Sequence, residues 1–194
     1  MLKINFDPEK NIEMERQQVT AKRSLTQETE DLLNRQIMME GSSSASYLSM
    51  ASWCEMTGYE GSAKFLYLHS DEERAHMLKI FHYVNEAGGH SIQPAITDIK
   101  HHYTSLREVF ETILDHEIAV TNSINEIVNH CYEIKDFTTM NFLNWFVEEQ
   151  REEETLARRA VELFDLIGED GVGLWTIDKE ILNLISGADS APQA

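Results

Sequence analysis

The sequence predicts an all-α fold: a four-helix bundle with one long crossover and a short fifth helix. Three observations carry this. Proline occurs only at Pro8, Pro94 and Pro192, so long tracts lack the strongest helix breaker. Glycine interrupts the pattern in three places: Gly58 and Gly61, then Gly88 and Gly89, then Gly168, Gly171 and Gly173. Between the interruptions apolar residues recur at steps of three and four, while the two-residue alternation of a strand is weak.

Helical periodicity covers roughly residues 26–56, 60–87, 104–131, 136–167 and 176–186. The first tract contains Gly41-Ser42-Ser43-Ser44-Ala45-Ser46, which reads by composition as a linker. Relative to alanine, glycine costs a helix about 1 kcal/mol and serine roughly 0.5. Leu33, Ile37, Glu40, Ser44, Tyr47, Ala51 and Cys54 nevertheless keep one helical phase through it. Small residues there also let neighbouring helices approach closely, so the helix is expected to continue. The second tract ends at the Gly88-Gly89 pair. Residues 88–103, with Pro94 among them, are long enough to travel the length of a bundle. Ser105 followed by Glu108 has the spacing of a capping box that opens the third helix. The links at Gly58 and at Tyr132–Lys135 are short, so each joins an antiparallel hairpin. The fifth tract is an appendage. Residues 1–24 mix charges with little periodicity and form an extension of unassigned role; 25–186 form the helical domain, and 187–194 read as a mobile tail.

At 194 residues and 22.3 kDa the chain suits one domain with a real core. With 42% hydrophobic and 26% charged residues, its composition is neither that of a membrane protein nor that of a disordered chain. No apolar run is long enough to span a bilayer, and the start MLKINFDPEKN lacks the pattern of a secretory signal. Cys54 and Cys131 stand far apart, which disfavours a disulfide scaffold or a structural zinc site. A cytoplasmic protein is expected. The formal net charge of −18 repels nucleic-acid phosphate and anionic membranes and attracts cations, so neither nucleic acid nor membrane is expected as a partner.

Some of the acids lie on the wrong face for solvation. The apolar stripes run Leu33, Ile37, Glu40, Ser44, Tyr47; then Leu66, His69, Glu73, His76, Ile80. The third and fourth run Phe110, Ile113, Glu117, Val120, Ile124 and Phe146, Gln150, Glu153, Ala157. Each stripe is broken by a glutamate about thirteen to seventeen residues into its helix, which brings Glu40, Glu73, Glu117 and Glu153 to one level of the core. Burying unpaired carboxylates costs several kcal/mol each. Shared protons are one remedy. Arginine or lysine is another, but the stripes hold neither. A pair of divalent ions accounts better for the residue types, with His76 and Gln150 completing the shells. Oxygen donors with one imidazole suit iron or manganese better than zinc or copper. Glu73 and His76, three positions apart, point at the same ion.

The strings Q-I-M-M-E at 36–40, Tyr47, W-C at 53–54, D-E-E-R-A-H at 71–76, D-H-E-I at 115–118, W-F-V-E-E-Q-R-E-E-E at 145–154 and I-D-K-E at 177–180 resemble the non-haem bacterial ferritins over residues 25–186. The resemblance implies a ferritin-like bundle and one iron held by Glu40, Glu73 and His76. It implies a second iron held by Glu73 as bridge, Glu117, Gln150 and Glu153, with Tyr47 beside the first as hydrogen-bond and redox partner. It also implies a further, weaker iron site at Glu72, Glu149, Glu152 and Glu153. Gln150-x-x-Glu153 stands where a symmetric di-iron protein has a second E-x-x-H. Arg74 stands where bacterioferritins carry their haem-ligating methionine, so no haem is expected. Met140 and Leu143 stand where animal ferritins place the acids of an iron channel.

The implied function is iron storage. Fe2+ is oxidised by O2 or H2O2 at the di-iron site, a ferroxidase activity, and deposited as ferric mineral inside a hollow homo-oligomer of 24 subunits. Three rival readings remain: a DNA-protecting mini-ferritin, for which residues 1–24 are too nearly neutral; a di-iron oxygenase or peroxidase; and a structural bundle with protonated core acids.

Overall fold

The computed structural model describes residues 23–188. The described residues form five helices: α1 (Gln27–Thr57), α2 (Glu60–Glu86), α3 (Leu106–Ile134), α4 (Phe137–Ile167) and α5 (Gly171–Ala188). α1 packs chiefly on α2 and α3 chiefly on α4, each pair joined by a tight turn, so both are antiparallel hairpins. The ferritin-like bundle expected from the sequence is the observed architecture. Most of the N-terminal extension (residues 1–22) and of the tail (189–194) lie outside the described residues.

Local chemistry sets the helix ends. Thr26 caps α1 by accepting from Thr29 N at 3.2 Å, and Gly58, at φ 92°, ends it in the left-handed region. Ser105 caps α3 by accepting from Glu108 N at 3.1 Å. The reciprocal half of the expected box lies one residue further back, where Glu108 accepts from Thr104 N at 2.6 Å. α3 runs three residues beyond the expected end, to Ile134, and the turn is only Lys135 and Asp136. Lys135 takes the left-handed conformation at φ 63°, and Asp136 accepts from Thr139 N at 3.0 Å to start α4.

The Gly41–Ser46 stretch is continuous helix. Its small residues mark the close contact of α1 with α2. Ser44 Oγ donates to Ser70 O at 2.7 Å, and Ser70 Oγ donates to Ser44 O at 2.8 Å. At about 1 kcal/mol each, these bonds offset part of the propensity cost of the stretch. A Cβ on Gly41 would meet Met77 Sδ at 3.1 Å and Pro94 Cγ at 3.2 Å, so glycine also admits the crossover. That crossover follows α1. Asn34 bonds His90 O and Ile92 N at 3.0 and 2.8 Å, and Ser49 Oγ donates to Lys100 O at 2.8 Å. From Asn34 to Ser49 is about 22 Å of helix, roughly half the length of α1.

α5 starts at Gly171, five residues before the expected tract, because Gly173 is used for packing rather than as a breaker. A Cβ there would lie 2.2 Å from Gly168 O, and Asp170 accepts from Gly173 N at 2.7 Å as the cap. α5 is fastened to the start of α2 by Asp178, which accepts from Gly61 N (3.0 Å), Ser62 N (2.7 Å) and Ser62 Oγ (2.8 Å). α2 has no cap of its own, since Tyr59 offers no side-chain bond; the cap comes from α5.

The core forms two apolar halves. One is built around Met50, Phe65, Phe110, Phe164 and Ile177, the other around Leu33, Ile37, Ile80, Ile124, Leu143 and Phe146. Buried Glu40, Glu73, Glu117 and Glu153 lie between them.

Candidate metal centre

Every residue proposed from the sequence for the two main ions is buried. Glu40 is 1% exposed on α1, Glu73 3% and His76 6% on α2, Glu117 1% on α3, and Gln150 4% and Glu153 7% on α4. Four antiparallel helices with their glutamates at mid-length can present them only to one another, which is the convergence the stripes required.

Glu40, Glu73 and His76 place donor atoms within 4.8 Å of one another. His76 Nδ1 lies 3.5 Å from Glu73 Oε2. Glu40 Oε2 and Glu73 Oε2 are buried with no hydrogen-bond partner, an arrangement that a cation satisfies and a solvated surface never needs. On the other side Glu117 is held by both ends. Tyr47 Oη donates to Glu117 Oε1, and Gln150 Nε2 donates to Glu117 Oε2 at 3.1 Å. Gln150 thus uses its donor end on the protein and leaves its amide oxygen as the end able to meet a metal. Among the described residues no strand or loop contributes; the centre's side chains all stand on helices.

Burial sets the electrostatics. It pushes the carboxyl of Glu40 well above the ordinary range, with the charge of Glu73 adding to it. Burial does the same to Glu73, followed by repulsion from Glu117; it also raises Glu117, followed by repulsion from Glu153. Tyr47 is raised well above its ordinary value by burial and then by Glu117 and Glu73, which keeps the phenol a donor. Crowded acids of this kind hold protons until a cation replaces them.

A match to the family model described as a ferritin-like domain extends over residues 30–167, the span that contains all these side chains. The chain belongs to the ferritins. The "Probable bacterial non-heme ferritin-like protein" of Haemophilus influenzae is 46% identical over 164 residues, covering 84% of this chain and 99% of that one. A bacterial non-heme ferritin of Campylobacter jejuni is 41% identical over 160 residues, 82% and 96% of the two chains. Among solved structures, an open pore ferritin from the archaeon Archaeoglobus fulgidus superposes with a TM-score of 0.79 at 39% identity, covering 82% and 98%.

The residues named for a further site in this ferritin divide. Glu72 and Glu153 come together, but with His69, whose Nδ1 lies 3.3 Å from an oxygen of each. Glu149 faces the other imidazole, its Oε1 lying 3.8 Å from His76 Nε2. Glu152 is largely exposed and pairs with Arg151 at 3.7 Å. Burial opposes charge on His69, but the hydrogen bond and charge of Glu153, with Glu72 and Glu117 behind, outweigh it and hold its pKa above the ordinary value.

His69 carried a visible signal, four residues before Glu73 on the same stripe, and sequence reasoning gave it no role. Gln36 and Trp145 were likewise passed over. Gln36 Nε2 donates to Glu40 Oε1 at 2.8 Å; Trp145 stands edge-on to His76 with Lys79 Nζ 3.5 Å above its ring. Leu143 is fully buried in the core, so it lines no opening. The exposed residues at the start of α4 are Phe137, Thr138, Asn141 and Asn144, and these too lack carboxylates.

Proposed function

We propose that this ferritin chain is an iron-storage subunit whose intra-bundle centre oxidises Fe2+. Iron is substrate and cargo. One ion is held by Glu40, Glu73 and His76, and the second by Glu73, Glu117, Gln150 and Glu153, with Glu73 between them. The observation that carries the reading is the pair of buried oxygens without a hydrogen bond, Glu40 Oε2 and Glu73 Oε2, on facing carboxylates.

The chain's own groups supply the chemistry. Anionic oxygen favours the ferric over the ferrous ion, because the higher charge gains more from hard donors. Two ferrous ions give one electron each. O2 accepts both with two protons and leaves as H2O2, or H2O2 accepts both with two protons and leaves as water. Tyr47, held on Glu117, lies within the same buried layer and serves as hydrogen-bond and redox partner. Glu72 and Glu153, which meet at His69, offer donors for a third ion, with Glu149 and Glu152 as the remaining acids of that site. The ferric product is stored as mineral inside a hollow homo-oligomer of 24 subunits, in the cytoplasm, without haem. No helix among the described residues is long and apolar enough to cross a membrane.

The test is aerobic Fe2+ addition to the wild type and to Glu73→Ala with His76→Ala. Rapid oxidation by the wild type alone supports the centre; equal rates sink it. Native mass measurement after iron loading tests the shell and its contents together.

A further inference from the structure

A hydrogen-bonded chain outside the ligand set ends on Glu40. Gln36 lies one helical turn before Glu40 on α1 and is fully buried. Its Nε2 donates to Glu40 Oε1 at 2.8 Å, and its Oε1 accepts from Ser123 Oγ at 2.5 Å, reaching across from α3. Chemistry fixes the direction of the chain. Once a cation has replaced its proton Glu40 only accepts, so the amide turns its NH2 toward Glu40. The amide oxygen then needs a donor, and the Ser123 hydroxyl is one. Glu40 Oε1 is therefore occupied, while Oε2 is left partnerless within the group formed with Glu73 and His76.

We propose that Gln36, oriented by Ser123, is a positioning residue that holds Glu40 as a one-oxygen ligand of the first ion. This rests on the assignment of Glu40 to that ion. Without the amide, the carboxylate is free to turn both oxygens to the metal or to swing away from it. Either change alters the first site alone, because Glu117 in the second is held separately by Tyr47 and Gln150. Partners of this kind, one step outside the ligands, typically change metal affinity ten- to a hundredfold.

The experiment is calorimetric Zn2+ titration of the full chain in two backgrounds, Glu117→Ala to isolate the first site and Glu40→Ala to isolate the second. Gln36→Leu is expected to weaken the first background roughly ten- to a hundredfold and leave the second within about twofold. Ser123→Ala, at a half-buried position, gives a smaller loss in the first background and adds nothing to Gln36→Leu, since it acts through it. Unchanged first-site affinity in Gln36→Leu overturns the proposal, as does an equal loss in both backgrounds, the sign of a loosened bundle. If Glu40→Ala alone binds Zn2+ as the wild type does, the assignment of Glu40 fails and the positioning role falls with it. Loss in Glu40→Ala with none in Gln36→Leu removes the positioning role alone.

Discussion

Tyr47 on α1 donates its phenolic hydrogen to Glu117 on α3, across the core and inside the acidic layer. The bond ties one half of the bundle to the other at the level of the candidate metal centre. It also leaves Glu117 without a donor on that oxygen if the hydroxyl is lost. Tyr47→Phe should destabilise the metal-free protein by about 1–3 kcal/mol. It should also slow Fe2+ oxidation at least roughly tenfold, as removal of a ligand's hydrogen-bond partner does. Thermal unfolding and stopped-flow absorbance check the two effects separately.

Glu40 is expected to behave in the opposite sense. Without metal its carboxyl is a buried liability facing Glu73. Glu40→Gln removes the ionisable group at nearly constant volume and should raise the unfolding temperature of the metal-free protein, by the equivalent of about 1–3 kcal/mol. The same variant should lose most of its first-site Zn2+ affinity. A gain in stability with a loss in binding marks a site kept for function.

The raised carboxyl groups give a pH dependence of definite sign. Glu40, Glu73 and Glu117 hold protons more tightly folded than unfolded, so their contribution favours the fold below the ordinary value of 4.5 and is lost as pH rises through the folded-state values. The metal-free protein should lose stability over that interval more steeply than Glu40→Gln does. Metal uptake displaces the same protons, so Zn2+ affinity should rise with pH. Calorimetry in two buffers of different ionisation heat measures the protons released.

Asp178 offers a test away from the centre. Asp178→Ala leaves Gly61 N, Ser62 N and Ser62 Oγ without their acceptor where α5 meets α2. It should cost about 2–4 kcal/mol, combining a lost cap with newly unsatisfied buried donors. Hydrogen exchange should then quicken in the first turn of α2 and along α5, while Zn2+ affinity at the centre stays near that of the wild type.

The layer of buried acids could be read from sequence because helical periodicity is rigid. A glutamate on an apolar stripe has no solvent to turn to, and four at one depth must meet. The same rigidity carried α1 through Gly41–Ser46, where composition pointed to a linker. What stayed hidden depended on partners distant in sequence. Gln36 reads as an ordinary polar residue until Ser123 is seen to aim its amide. The start of α2 has no cap in its own sequence; Asp178 supplies it from α5, more than a hundred residues away. The three glycines after α4 look like breakers because sequence does not reveal that Gly173 packs on Gly168 O. His69 lay on the stripe in view, but an imidazole among apolar residues is ambiguous until Glu72 and Glu153 are found beside it.

The central claim is that two ions share one buried layer between four helices. Iron-edge anomalous diffraction from crystals loaded with Fe2+ without oxygen tests it most directly. Two peaks are predicted, one among Glu40, Glu73 and His76 and the other among Glu73, Glu117, Gln150 and Glu153. Iron confined to surface carboxylates such as Glu152, with no peak inside the bundle, would contradict it.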